Sequence, residues 1–155
     1  MYVFDTDHFS VLQNDPTAEQ ARLLLRIGKH DLHEFFVPII AFQEQIAGWN
    51  SLLNRATESP TIVFAFRMLE RLLDRFASSQ VLPFDDRAAT LFDELRHRRI
   101  RVGTSDLRIA SIALSRGMVL LTRNTIDFAR IPGLKFEDWT SDDAVDGSHE
   151  VSIQT

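Results

Sequence analysis

Short apolar runs alternating with helical patterns predict an α/β protein, a three-layer α/β/α sandwich around a short, mostly parallel sheet. Three features carry this expectation. Tyr2-Val3-Phe4, Phe35-Phe36-Val37 and Met118-Val119-Leu120-Leu121-Thr122 are too short for helices and too continuously apolar for half-exposed strands. The segments between them carry apolar residues three and four apart. Polar stretches follow the first and last of these runs, Asp5-Thr6-Asp7 and Arg123-Asn124-Thr125-Ile126-Asp127. That is where parallel sheets bind ligands, beyond the carboxyl ends of the strands.

Val3-Phe4 opens the chain as a buried strand, and a helix is expected from about Asp7, with Asp7 as its N-cap. A second helix runs from Thr17 to Ile27 and is closed by Gly28. Glu34-Phe35-Phe36-Val37-Pro38 reads as the next strand, followed by a helix from about Ile40 to near Gly48. Ser59-Pro60 is a cap followed by proline at the first helical position. Behind it, Ile62, Phe66, Leu69, Leu73 and Phe76 fall on one helical face. Val81-Leu82-Pro83 is a short strand or connector, and Asp85 caps a helix bearing Ala88, Leu91, Phe92 and Leu95. Thr104 or Ser105 starts a strongly apolar helix through Leu107, Ile109, Ala110, Ala113 and Leu114, closed by Gly117. Met118–Thr122 is the clearest buried strand, and Lys135-Phe136 is an expected edge strand. Residues 140–155 carry Asp142, Asp143, Asp146 and Glu150 with little to bury, so a polar acidic tail is expected behind one domain of residues 1–139.

A chain of 155 residues suits a single core. The absence of cysteine excludes disulfides, Cys-ligated zinc and thiol catalysis. No secretory leader pattern is seen, and no apolar run approaches the roughly 18 residues of a membrane span. A cytoplasmic location without a membrane is therefore expected. The net charge of −5 argues against a broadly basic nucleic-acid coat. A local patch remains available in Arg96, Arg98, Arg99 and Arg101, which with His97 form the densest basic cluster.

Several acids occupy unusual places. The helical neighbours of Glu44 are Ile40, Ala41, Ala47 and Gly48, a face otherwise suited to packing. An ionised acid buried without a partner costs several kcal/mol or gives up its charge. Asp106 likewise precedes Ile109 and Ala110 in a helix expected to be buried. Each acid also has a plain structural explanation. Glu44 suits a core rim, Asp106 a helix dipole, Asp5 a turn, and Asn124 with Asp127 a cap and first-turn acid. If Asp5, Glu44, Asp106 and the Asn124–Asp127 pair converge, like charges repel unless a hard cation relieves them. Mg²⁺ suits a few carboxylate oxygens and leaves room for phosphate.

Five segments carry a family resemblance: Val3-Phe4-Asp5-Thr6-Asp7, Phe42-Gln43-Glu44-Gln45-Ile46-Ala47-Gly48, Val81-Leu82-Pro83-Phe84-Asp85, Thr104-Ser105-Asp106-Leu107-Arg108-Ile109-Ala110, and Leu121-Thr122-Arg123-Asn124-Thr125-Ile126-Asp127-Phe128. From Met1 to about Trp139 the chain resembles the PIN-domain ribonucleases of the VapC toxin type. The resemblance implies an Mg²⁺- or Mn²⁺-dependent endoribonuclease. Asp5, Glu44 and Asp106 match the first three family acids. Asp5 and Asp106 would be the principal metal ligands, and Glu44 would orient water or a second ion. At the fourth position some members carry an acid where this chain has Asn124. Others carry Asn with an acid three residues on, as Asp127 is here. The opening motif commonly ends in Asn where this chain has Asp7. Thr6 and either Thr104 or Ser105 would bond the carboxylates or the scissile phosphate, while Arg96, Arg98, Arg99, Arg101 or Arg123 would hold flanking RNA. The implied partners are RNA, a VapB-like antitoxin and a second copy of the chain.

Two alternatives stand beside this. A non-catalytic PIN fold that binds RNA or an antitoxin is favoured by Asn124 alone. A haloacid-dehalogenase-type phosphatase shares the Asp-x-Asp opening of Asp5-Thr6-Asp7 but needs a lysine, and neither Lys29 nor Lys135 is well placed.

Overall fold

The computed structural model describes residues 1–142 and the backbone of 145–146. Residues 143–144 and 147–155, most of the expected tail, lie outside the described residues. Five strands run parallel in the order β3-β2-β1-β4-β5: β1 (Tyr2–Phe4), β2 (Phe35–Pro38), β3 (Val81–Leu82), β4 (Val119–Leu121) and β5 (Phe136–Asp138). A sixth, β6 (Val145–Asp146), joins β5 in antiparallel sense. β1 is central, with Val3 opposite Leu120 and Phe4 opposite Leu121.

Successive strand residues point to opposite faces, and both faces are covered. Val3 and Leu120 enter a core with Ala88, Leu95, Ile109 and Phe128, built by α5 (Asp86–His97), α6 (Thr104–Ser115) and α7 (Thr125–Phe128). Phe4 and Leu121 enter the opposite core with Phe9, Leu23 and Phe76, built by α1 (Thr6–Val11), α2 (Ala18–Ile27) and α4 (Ser59–Ala77). The helix α3 (Ile39–Arg55) serves both, through Ile40 on one side and Ala41 on the other. The three-layer arrangement expected from the sequence is therefore present.

Three local expectations are corrected. The first helix begins at Thr6, and its N-cap is Asp5, whose carboxylate accepts the Thr6 N–H at 2.7 Å. Asp7 is an exposed first-turn acid. The third helix does not stop near Gly48 but continues to Arg55. Trp49 packs onto the second core and meets the Phe64 ring of α4 at 6.0 Å. That contact outweighs the roughly 1 kcal/mol a mid-helix glycine costs. On α4 the buried line is Ala65, Leu72 and Phe76, while Phe66 and Leu73 are 55 % and 62 % exposed. Apolar residues flank that helix on two sides, and the small Ala65 lets the side that carries it approach the core most closely.

His8 is fully buried on α1, and its Nε2 accepts the Trp139 N–H at 3.2 Å. Burial pushes its pKa down to about 4, so the ring is a neutral acceptor pinning the end of β5 to α1. Thr140 is buried and donates to Asp138, and Asp142 pairs with Arg22 at 2.8 Å. Among the described residues no helix is long and apolar enough to cross a membrane.

Candidate active site

The site lies at the carboxyl ends of β1 and β4. Asp5 follows Phe4, and its N–H extends the ladder by donating to the Leu121 carbonyl at 2.9 Å. Its side chain is 5 % exposed. One carboxylate oxygen accepts the Thr6 N–H and the other accepts the Thr122 hydroxyl at 2.8 Å. Burial pushes the Asp5 pKa up to about 7; Asp106 and Asp7 add to the rise, while the Thr122 and Thr6 bonds oppose it.

The other acids come from distant parts of the chain. Glu44 stands on the second turn of α3 and accepts a hydrogen bond from the Thr6 hydroxyl. Asp106 sits in the first turn of α6, whose N-cap is Gly103. Desolvation raises the Asp106 pKa, followed by repulsion from Glu44, Asp127 and Asp7. Its hydrogen bond is a long one, 3.5 Å from the Asn124 amide. That amide also donates to Asp127 at 3.1 Å. Asp5, Thr6, Asp7, Glu44, Gln45, Asp106 and Asn124 line one cavity of about 310 Å³.

A model of the PIN domain family matches residues 2–134. The chain belongs to this family.

Two curated relatives are similar over shorter stretches. A tRNA(fMet)-specific endonuclease VapC from Salmonella typhimurium is 42 % identical over 64 residues, which is 39 % of this chain and 48 % of that protein. Ribonuclease VapC1 from Rickettsia felis is 45 % identical over 47 residues, which is 30 % of this chain and 35 % of that protein. The chain thus spans about half the length, or less, of these curated relatives. Among solved structures, the DNA-bound VapBC of Salmonella typhimurium is 28 % identical with a TM-score of 0.63, covering 89 % of this chain and 97 % of that one. Membership in the PIN family leaves the phosphatase alternative without support.

Within this PIN domain the sequence-designated residues divide. Asp5, Glu44, Asp106, Asn124 and Thr6 meet at the cavity. Asp127 stands behind it, held by Asn124 and by Arg130 at 3.1 Å. Thr104 and Ser105 open α6 but do not line the cavity. Arg123 is engaged by Glu19 at 3.0 Å. Arg96 lies over the Phe92 ring at 5.5 Å, and Arg98, Arg99 and Arg101 follow the end of α5; none of them lines the cavity. Arg99 has a φ of 52°, a left-handed turn that ends this run.

Thr122 was not picked out by sequence reasoning, yet it binds Asp5 and accepts the Asn124 N–H at 3.0 Å. A hydroxyl closing an otherwise apolar strand was the available signal. Gln45 and Asp7 also line the cavity.

Proposed function

We propose that the chain is a divalent-metal-dependent endoribonuclease, the toxin of a toxin–antitoxin pair. The observation that carries this is the convergence of Asp5, Glu44 and Asp106 from three distant segments into one cavity, with two of their pKa values raised. Raised carboxylate pKa values mark a site short of positive charge.

The donor set fits Mg²⁺ or Mn²⁺: it is all oxygen, and Asp5 and Asp106 repel one another. Among the described residues no group of three or more acids or histidines is placed to hold a metal ion by itself. Mg²⁺ needs none, since it keeps several waters and takes one or two carboxylates. Asp5 and Asp106 would hold the ion, with Glu44 beside them. When bound, the ion lowers the pKa of water and polarises a phosphoryl oxygen.

The protein's own contributions follow from the hydrogen bonds. Thr122 and the Thr6 N–H fix both oxygens of Asp5, so its carboxylate cannot rotate away. The Thr6 hydroxyl occupies one oxygen of Glu44 and leaves the other to orient a water or take its proton. Asn124 holds Asp106 through a neutral amide, which adds no further repulsion.

The test is cleavage of single-stranded and transfer RNA by purified protein in Mg²⁺. Asp5→Ala and Asp106→Ala should each abolish cleavage with the circular dichroism spectrum unchanged. Retained Mg²⁺-dependent cleavage in both variants would reject the proposal. The tRNA(fMet) specificity in the name of the Salmonella relative makes initiator tRNA the first substrate to try. The VapBC complex supports a VapB-like antitoxin as partner, and a homodimer is proposed with it.

A further inference from the structure

A second concavity adjoins the acid site. It is about 530 Å³ and lies between the end of α1, the middle of α3 and α4. Gln45 lines both concavities, so they are neighbours that share a wall on α3. From Glu44 to Trp49 is five residues, about 7.5 Å along a helix axis. A short oligonucleotide can therefore reach both.

The chemistry of its walls differs from that of the acid site. No carboxylate lines it, although the chain as a whole carries a net charge of −5. Arg71 and Arg75, one turn apart on α4, both face it, and neither has an acidic partner within 4 Å among the described residues. Arg75 donates to the Gln13 carbonyl at 3.4 Å. Burial and the Arg71 charge both hold the Arg75 pKa below its ordinary value. Trp49 of α3 and Phe64, two turns before Arg71 on α4, also line it, with ring centroids 6.0 Å apart in an edge arrangement and Phe64 48 % exposed. Guanidinium groups beside aromatic side chains are elements by which proteins bind single-stranded nucleic acid.

We propose that this groove is a nucleotide subsite of the RNA path, with a base against Trp49 and Phe64 and a backbone phosphate between Arg71 and Arg75. The inference rests on the ribonuclease function proposed above. An occupant rich in phosphate is favoured over a protein helix because the groove's unpaired charge is positive.

Binding of a fluorescein-labelled eight-nucleotide single-stranded RNA tests it, followed by anisotropy in EDTA so that no cleavage intervenes. Trp49→Leu should weaken binding by about 5- to 160-fold, the range of base–aromatic stacking. Trp49→Phe should keep most of the affinity. Arg71→Ala should reduce the slope of log affinity against log salt by about 0.7, one phosphate contact on a single strand. Arg71→Lys should restore that slope, an outcome a merely structural role would not produce. Wild-type affinity and slope in both Trp49→Leu and Arg71→Ala would overturn the proposal. So would unchanged RNA binding combined with loss of a co-expressed antitoxin, which would assign the groove to a protein. Cleavage in Mg²⁺ is scored separately. An inactive protein whose affinity depends on Arg71 and Trp49 would defeat the nuclease assignment and leave the groove standing. An active protein whose affinity ignores both would do the reverse.

Discussion

Replacing Asp5 with asparagine should stabilise the metal-free protein at alkaline pH while destroying its activity. Asp5 is 5 % exposed and its carboxyl pKa is pushed from 3.8 up to about 7, chiefly by burial. The native state therefore holds this proton more tightly than the unfolded chain. Across the window from about pH 4 to pH 7 the folded protein carries more protons, so its stability falls as pH rises. For a carboxyl moved from 3.8 to about 7, the loss between pH 5 and pH 8 is roughly 2.6 kcal/mol. In a chain of 155 residues that corresponds to a fall of about 5–10 °C in Tm. Asparagine keeps an oxygen for the Thr6 N–H, and the Thr122 hydroxyl can turn to accept from the new amide. Exchanging the carboxyl for an amide in these bonds costs about 1 kcal/mol, and the amide itself does not titrate over this range. Thermal melts followed by circular dichroism in EDTA, at pH 5 and pH 8, measure both proteins. The wild-type Tm should drop between the two conditions by several degrees more than that of Asp5→Asn. Mg²⁺ should recover the wild-type loss at pH 8 and do nothing for the variant. Equal pH dependence in both proteins would refute a buried, proton-holding Asp5.

Three further outcomes are expected. Thr122→Val removes the side-chain bond that opposes the rise in the Asp5 pKa, so the acid limb of a cleavage pH profile should move to higher pH, with a stability loss of about 1 kcal/mol; an unmoved limb would show that Thr122 does not tune Asp5. Gly48→Ala should add about 0.5–1 kcal/mol, read as a higher Tm, because Gly48 lies within α3 and a Cβ there meets nothing within 4 Å. Asp85→Ala removes the α5 N-cap on Ala88 and the Arg116 ion pair, and should cost about 0.5–2 kcal/mol of stability with RNA cleavage per folded molecule unchanged.

The strands and most helix starts were legible because their causes are local. Met118–Thr122 is apolar and too short for a helix, and Asp85 precedes a helical apolar pattern, so each element declares itself. The α3 terminus was not legible. Gly48 reads as a stop, and the contact of Trp49 with Phe64 that carries the helix past it joins residues in different elements. The α4 face failed similarly: apolar residues lie on two sides of that helix, and only packing on the core chooses between them.

The sequence by itself determined the α/β class and the acids worth attention. A carboxylate on an apolar helical face, as at Glu44, conflicts with burial and so signals itself. Tertiary structure alone decided where each acid sits and what it touches. In MYVFDTDHFS the sequence assigns the cap of the first helix to Asp7, yet Asp5 ends a central strand, caps α1 and loses its solvent, while Asp7 stays exposed. Asn124 faces the cavity and Asp127 stands behind it with Arg130. The groove beside Gln45 had no local signature, because Trp49, Phe64, Arg71 and Arg75 come from two helices. Local sequence fixes backbone conformation and burial preference, whereas charge repulsion, desolvation and shared cavities arise from groups that only the folded chain brings together.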